Sequence, residues 1–193
     1  MTNNTRQNGF SLIELLIALI VFSVGLLAVA GLQTLSKQSN FEALQRTSGS
    51  QIAHGLLEDM RINGDAMNVY LAAGEIGGGS RGVAEPAPNC SGAAVCNAEQ
   101  KATHDLWFWE QILDGNLETA GNTGSGGLVL PTLCIGGPVG GIAGTYAVTI
   151  VWRGTASMSN GNASACGSAS GNYGANNEFR RIMQIPTYID PTI

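Results

Sequence analysis

The feature that most constrains this chain is an apolar segment near its N-terminus that carries a single charge. Residues 8–31 read NGFSLIELLIALIVFSVGLLAVAG, and Glu14 is their only ionisable side chain. About 20 apolar residues in a helix span a bilayer, so the segment is long enough to cross a membrane. A carboxylate near the centre of such a helix costs roughly 2.5–3.5 kcal/mol. Glu14 therefore needs either a compensating charge or a functional reason.

A second helical pattern follows the apolar segment without a break, and Asn63-Gly64 is typical of a helix stop. The pattern predicts one helix over residues 11–62, roughly 75 Å long. Its first half is apolar all round, and its second half is amphipathic. The apolar stripe of that second half consists of residues spaced by multiples of three or four: Leu35, Phe41, Leu44, Ile52, Leu56 and Met60.

The rest of the chain, residues 63–193, predicts a small α+β head with many loops. Short helices are expected over residues 65–74 and 102–115, the second ending at Gly115. Strands are expected over 128–135, 145–154 and 178–189. Because no long crossover helix separates these strands, an antiparallel sheet is expected.

Four cysteines lie after the apolar segment: Cys90, Cys96, Cys134 and Cys166. An even count in an exported chain indicates two disulfides, for which three pairings exist. Cys90 and Cys96 bracket one short loop, CSGAAVC, so we favour Cys90–Cys96 with Cys134–Cys166. The alternatives are the other pairings and free buried thiols in a cytosolic protein.

The composition argues against several function classes. The net charge is -5, so no nucleic-acid partner is expected. No nucleophile-elbow, zinc-protease, P-loop or dinucleotide motif occurs, so we expect neither an enzyme nor a cofactor. We interpret His104 as a solvated or capping residue and Asp105 as an acid at a helix N-terminus. Metal ligands are not expected either, because neither histidine lies near the cysteines at ligand spacing.

Three arginines near the sheet, Arg153, Arg180 and Arg181, are expected on a solvated strand face.

The N-terminal segment allows three interpretations. A secretory signal peptide would use AVA at residues 28–30 as its cleavage site before Gly31. A plain membrane anchor would not be processed at all. Both leave Glu14 unexplained, and a signal peptide also conflicts with the helical pattern that continues past residue 31.

The third interpretation rests on GFSLIELLIAL, which resembles the type IV prepilin signature. The resemblance implies that a prepilin peptidase cuts between Gly9 and Phe10 and that the new amino group of Phe10 is methylated. It also implies that Glu14 meets the Phe10 ammonium of a neighbouring subunit and sets the register of the filament. The leader departs from the pattern because it is short and Gln7-Asn8 stand where basic residues are common. The implied parts are a cleaved leader (1–9), a membrane and filament-core helix (10–32), an amphipathic helix (33–62) and a head (63–193).

The head resembles the PilV group of minor pilins through NCSGAAVCNAEQKATHDLWFWEQIL, LPTLCIGG and TYAVTIVWRG, and through FRRIMQI. This resemblance implies a low-abundance subunit that helps to start pilus assembly and lies at the pilus tip. The implied partners are other minor pilins, the major pilin, a tip adhesin, the prepilin peptidase and the inner-membrane assembly platform. Before assembly the chain would be a single-pass inner-membrane protein with a periplasmic head. We expect Trp107 and Phe108 at a subunit interface. The alternative is a minor pseudopilin of a type II secretion system.

Overall fold

The computed structural model describes residues 9–92, 95–121, 123–124, 126–159 and 164–191. The chain divides into two compact units, Met1–Phe41 and Glu42–Ile193. We call them the N-terminal unit and the head unit. Within the described residues the elements are α1 (Leu12–Ile62), a 3₁₀ turn (Gly64–Ala66), α2 (Met67–Leu71), α3 (Ala98–Asp114), β1 (Thr119–Ala120), β2 (Thr123–Gly124), β3 (Thr132–Gly136), β4 (Gly144–Arg153) and β5 (Arg180–Ile189).

Helix α1 runs unbroken from Leu12 to Ile62 and ends before Asn63-Gly64, as the sequence predicts. In the N-terminal unit its large apolar side chains are all exposed, from 38% at Phe41 to 77% at Leu12. A helix that is apolar on every side is typical of a membrane span or of the core of an assembly. Two hydroxyls of this part are satisfied within the helix, because Ser23 donates to the Leu19 carbonyl and Thr34 donates to the Ala30 carbonyl.

The head unit is built on a three-stranded antiparallel sheet in the order β3–β4–β5. The second half of α1 contributes buried residues, Leu56 and Met60 among them, to the same hydrophobic core as the strands. This confirms the predicted α+β class, a long helix packed on an antiparallel sheet. The inward face of β4 is the one that the alternating pattern predicts: Tyr146, Val148, Ile150 and Trp152.

Strand β3 is shorter than expected and begins only at Thr132. Leu130 has a φ of 47°, which interrupts extended backbone, and Pro131 follows it. Helix α3 is longer than expected and begins at Ala98. Its start is fixed by a capping box between Asn97 and Gln100 that the sequence analysis missed.

Two disulfides close loops of the head unit. Cys90 is bonded to Cys96 and Cys134 to Cys166, which is the favoured pairing. Cys166 is buried beside Val151 and Tyr173, so the second bridge belongs to a small core on the outer face of the sheet.

Candidate assembly and processing site

The residues of the processing signature lie at the very start of α1. Gly9, Phe10 and Ser11 precede the helix, and the Ser11 carbonyl accepts the first helical hydrogen bonds, from Glu14 and Leu15 at 3.1 and 3.3 Å. The Phe10 side chain is 85% exposed. The Gly9–Phe10 bond is therefore non-helical and open to a peptidase.

Glu14 lies in the first turn of α1, on a face made otherwise of apolar side chains. A shallow groove beside it is lined by Ile13, Ile17, Val21 and Phe22. Within the described residues no cation pairs with this carboxylate. A carboxylate in such a surface needs a positive partner once water is removed.

The described residues contain one helix long and apolar enough to cross a membrane, judged by its length and composition. It is α1, and its apolar part begins directly after Phe10.

In the head unit, helix α3 carries the two predicted interface residues. Phe108 is 36% exposed and its ring contacts Trp109 edge-on, with 5.6 Å between centroids. Trp107 is half-buried instead, and its ring lies 5.6 Å from that of His104. Of the two, Phe108 offers the more accessible apolar contact.

His104 and Asp105 are both buried, so the interpretation of His104 as a solvated or capping residue is wrong. Asp105 is not an acid at the helix N-terminus either, because α3 already begins at Ala98. His104 Nε2 lies 2.8 Å from a carboxylate oxygen of Glu85, which fixes the preceding loop on α3. Asp105 accepts from the Tyr70 hydroxyl at 2.7 Å and pairs with Lys101. Burial raises the pKa of Tyr70 far above its usual value, so the hydroxyl keeps its proton and acts as donor.

A second pair of acids on α3 holds the glycine-rich loop that follows α2. Glu110, fully buried, accepts from Gly77 N–H at 3.0 Å and from Arg81 N–H at 2.8 Å. Asp114 accepts from the N–H groups of Gly78 and Gly79 at 2.9 and 2.8 Å. The sequence analysis did not predict that these two acids bind the loop. The signal for it was the spacing of Glu110 and Asp114, four residues apart and directly before the helix stop at Gly115.

The arginines of the sheet are not a solvated face. Arg180 is buried and donates to the carbonyls of Cys166 and Ser164 at 3.2 and 2.8 Å. The Arg153 guanidinium lies 4.8 Å above the Phe179 ring. Both side chains anchor the loop between β4 and β5.

One group of potential ligand atoms lies close together: Glu75, Cys134 and Cys166. Because these two cysteines form a disulfide, no thiolate is present to bind a metal. The Glu75 carboxylate accepts instead from Gly167 N–H at 2.7 Å.

Comparison with known proteins agrees with this geometry. Residues 4–30 match the model of the prokaryotic N-terminal methylation motif, and residues 31–107 match the model of type IV pilin Tt1218. No match was found among the curated proteins or the solved structures.

A methylation motif at the start of a long apolar helix, with an antiparallel sheet in the head, defines a structural subunit processed by a prepilin peptidase rather than an enzyme. More particularly, the two family matches support a type IV pilin, a class of subunit that is anchored in a membrane and is later part of a pilus with other pilins.

Proposed function

We propose that this pilin is a minor subunit of the PilV group that helps to start pilus assembly. It then lies in a tip complex with other minor pilins and an adhesin. The observation that carries the proposal is the apolar surface of α1 with Glu14 in its first turn. That surface is useful only when further subunits or lipids cover it. The segments of the head that resemble the PilV group support the minor role.

In this function the peptidase removes residues 1–9 and leaves Phe10 as a methylated N-terminus. The Glu14 carboxylate then pairs with the Phe10 ammonium of the adjoining subunit. Such a pair offsets the cost of burying either charge, and it marks one register along helices that could otherwise slide.

The head contributes a second contact through α3. Phe108 is exposed at the middle of that helix, and aromatic side chains are enriched at the centres of subunit interfaces. Trp107 supports this surface from its half-buried position against His104.

The test is the mass and N-terminal sequence of the mature protein, purified with a C-terminal tag from membranes and from sheared pili. We expect a chain that begins at N-methylated Phe10 in both fractions, together with other minor pilins and a large adhesin. A chain that begins at Gly31 would contradict the prepilin route and leave Glu14 without a role.

The identity of the co-purified proteins separates the two kinds of assembly. Minor pilins and an adhesin support the pilus, whereas subunits of a secretion pseudopilus would contradict it. A Phe108→Ala variant should retain less of its partners while keeping the wild-type expression level, because it removes exposed rather than core surface. Thr103→Ala, on the same helix and exposed, is the matched control.

A further inference from the structure

Strand β5 forms one edge of the sheet of the head unit. It pairs along its whole length with β4, from Arg180 opposite Arg153 to Ile189 opposite Gly144. Among the described residues no strand lies on its other side, since the sheet order is β3–β4–β5. The opposite edge differs, because β3 is bridged there by Ile76, which exchanges both backbone hydrogen bonds with Leu133.

The direction of each backbone group of β5 follows from the pairing. Gly154 donates to the Phe179 carbonyl at 2.8 Å just beyond the paired region, so odd-numbered residues of β5 face β4. Even-numbered residues face outward, and this places Pro186, which has no N–H, where a donor to β4 is not needed. Arg180 agrees, because its N–H bonds to Asn177 outside the sheet.

The outward row therefore consists of the N–H groups of Ile182, Gln184 and Tyr188 and the carbonyls of these residues and Pro186. In the part of the chain that the structure describes, none of these groups makes a backbone or side-chain hydrogen bond. The side chain of Tyr188 is 65% exposed, and Gln184 and Pro186 are exposed as well. The row extends over about 20 Å of strand.

Beyond Arg180 and Arg181 at its start, β5 also lacks the charged side chains that protect exposed edge strands from pairing with other chains. Residues 182–188 read IMQIPTY and contain no ionisable acid or base apart from the tyrosine. Natural edge strands are protected by lysines, by inward charges, by bulges or by proline. Here only Pro186 interferes, and it removes a single donor.

We propose that the outer edge of β5 receives an extended strand from a different subunit of the same assembly. The inference rests on the proposed function, because it assumes that the chain lies beside other tip subunits. An extended backbone is the one structure that supplies acceptors and donors at the alternating spacing of this row, and this mode of recognition is general. The incoming strand is uncharged where it faces Gln184 and Tyr188.

Pairing with a second copy of β5 is less favourable. In the centred antiparallel register, Pro186 of each copy lies opposite Gln184 of the other. Each of these two pairs then lacks the hydrogen bond that an N–H at position 186 would donate. A different strand without proline at the facing position loses only one such bond.

The test is amide hydrogen exchange with residue-level fragmentation, applied to the full-length chain. It compares the chain alone in detergent micelles with the tip complex that its tag retrieves. Exchange at Ile182, Gln184 and Tyr188 should be rapid in the chain alone and at least tenfold slower in the complex. The inward amides of Met183 and Ile185 are protected in both states and serve as the internal control.

Two substitutions at this edge should change the retention of partners in opposite directions. Gln184→Pro removes an outward donor and should lower retention of partners at least tenfold, since the outward position already accepts Pro186. Gln184→Thr is its control and should behave as wild type. Pro186→Thr supplies the missing donor and should increase both protection and retention.

The outcomes are distinguishable from failure of the proposed function. If minor pilins and an adhesin are retrieved but the outward amides stay unprotected, the inference is wrong and the proposed function stands. If mixed tagged and untagged copies retrieve each other through β5, the partner is a second copy and the inference is wrong. If no pilus subunit is retrieved, both fail.

Discussion

At the scale of single residues, two carboxylates fasten α3 to its neighbours: the half-buried Asp59 of α1 and the buried Asp105 of α3 itself. Trp109 Nε1 donates to Asp59 Oδ2 at 2.7 Å, and the Tyr70 hydroxyl donates to Asp105 Oδ2 at 2.7 Å on the same side of α3. Burial, more than any other cause, raises the pKa of Asp59 above its ordinary value of 3.8, and the charge of Asp105 raises it further. Ionisation of Asp59 at neutral pH therefore lowers the free energy of unfolding.

We predict that Asp59→Asn stabilises the folded chain at pH 7. The folded state holds the Asp59 proton more tightly than the unfolded state, so stability falls as pH rises from 3.8 through the raised pKa. The asparagine oxygen still accepts from Trp109, and the charge is gone. The gain in Tm should therefore be present at pH 7 and disappear below pH 3.8. Thermal unfolding of the full-length chain in detergent at both pH values measures it.

Glu58→Gln is the control for this variant, because Glu58 is exposed and pairs only with Arg61 on the surface. Such pairs contribute little, so its Tm should change little at either pH. A lower Tm for Asp59→Asn at pH 7 would show that the carboxylate charge is needed by Trp109.

Residue environments were the least predictable part of the molecule. His104 and Asp105 follow each other on α3, and a local pattern gives no sign that both become buried. Their partners, Glu85 and Tyr70, come from loops and from α2. Only tertiary packing brings these groups together, so the roles suggested by the sequence, a solvated or capping His104 and an acid at a helix N-terminus for Asp105, are wrong.

At the scale of elements, the contact between α1 and α3 requires a glycine. A Cβ built on Gly55 would lie 2.1 Å from the Trp109 ring, whereas one on Gly49 would lie 3.1 Å from the terminal methyl of Met183. An indole held by a hydrogen bond to Asp59 cannot move aside easily. A methionine end can, because its side chain is flexible.

We predict that two Gly→Ala substitutions in α1 differ in their effect on stability, and that only one of them is destabilising. Gly55→Ala should lower the free energy of unfolding by about 1–3 kcal/mol, because the overpacking exceeds the gain in helix propensity. Gly49→Ala should leave it unchanged or raise it by up to about 1 kcal/mol. Urea unfolding of the full-length variants measures both. Equal effects would mean that Trp109 does not define the helix spacing.

Elements with strong periodicity were predictable, and their ends less so. The extent of α1 follows from its apolar spacing together with the Asn63-Gly64 stop, and the inward face of β4 follows from alternation. The start of β3 does not, because the backbone of Leu130 is left-handed for tertiary reasons that no propensity expresses. The edge position of β5 was not predictable either, since strand order depends on the whole sheet.

At the scale of the whole molecule, the chain combines a head unit with its own core and an N-terminal unit whose apolar residues are exposed. The exposed apolar side chains of such a chain are buried only when lipids or neighbouring subunits cover them. The N-terminal signature could be predicted from the sequence, because it is a local pattern of residues that does not depend on the fold of the head. Residues 4–30 accordingly match the methylation motif.

The decisive prediction at this scale concerns Glu14. Glu14→Ala removes a carboxylate from the first turn of the apolar helix, and a carboxylate disfavours insertion by roughly 2.5–3.5 kcal/mol at most, the value for the bilayer centre. Membrane insertion should therefore be unchanged or improved. Incorporation into pili should fall at least tenfold, because the Phe10 ammonium of the adjoining subunit loses its partner and remains buried without one. Quantitative immunoblots of the membrane and sheared-pilus fractions measure the two steps separately.

Two further substitutions separate charge from shape at the same position. Glu14→Gln keeps the size of the side chain but not its charge, and it should fail to assemble as Glu14→Ala does. Glu14→Asp keeps the charge on a shorter side chain, and it should restore part of the incorporation. If Glu14→Gln assembles at the wild-type level, the carboxylate acts through hydrogen bonding or packing, and the ion pair with Phe10 does not set the register. If all three variants assemble normally, the register is set elsewhere along α1, and the apolar helix alone is enough to bring this subunit into the filament.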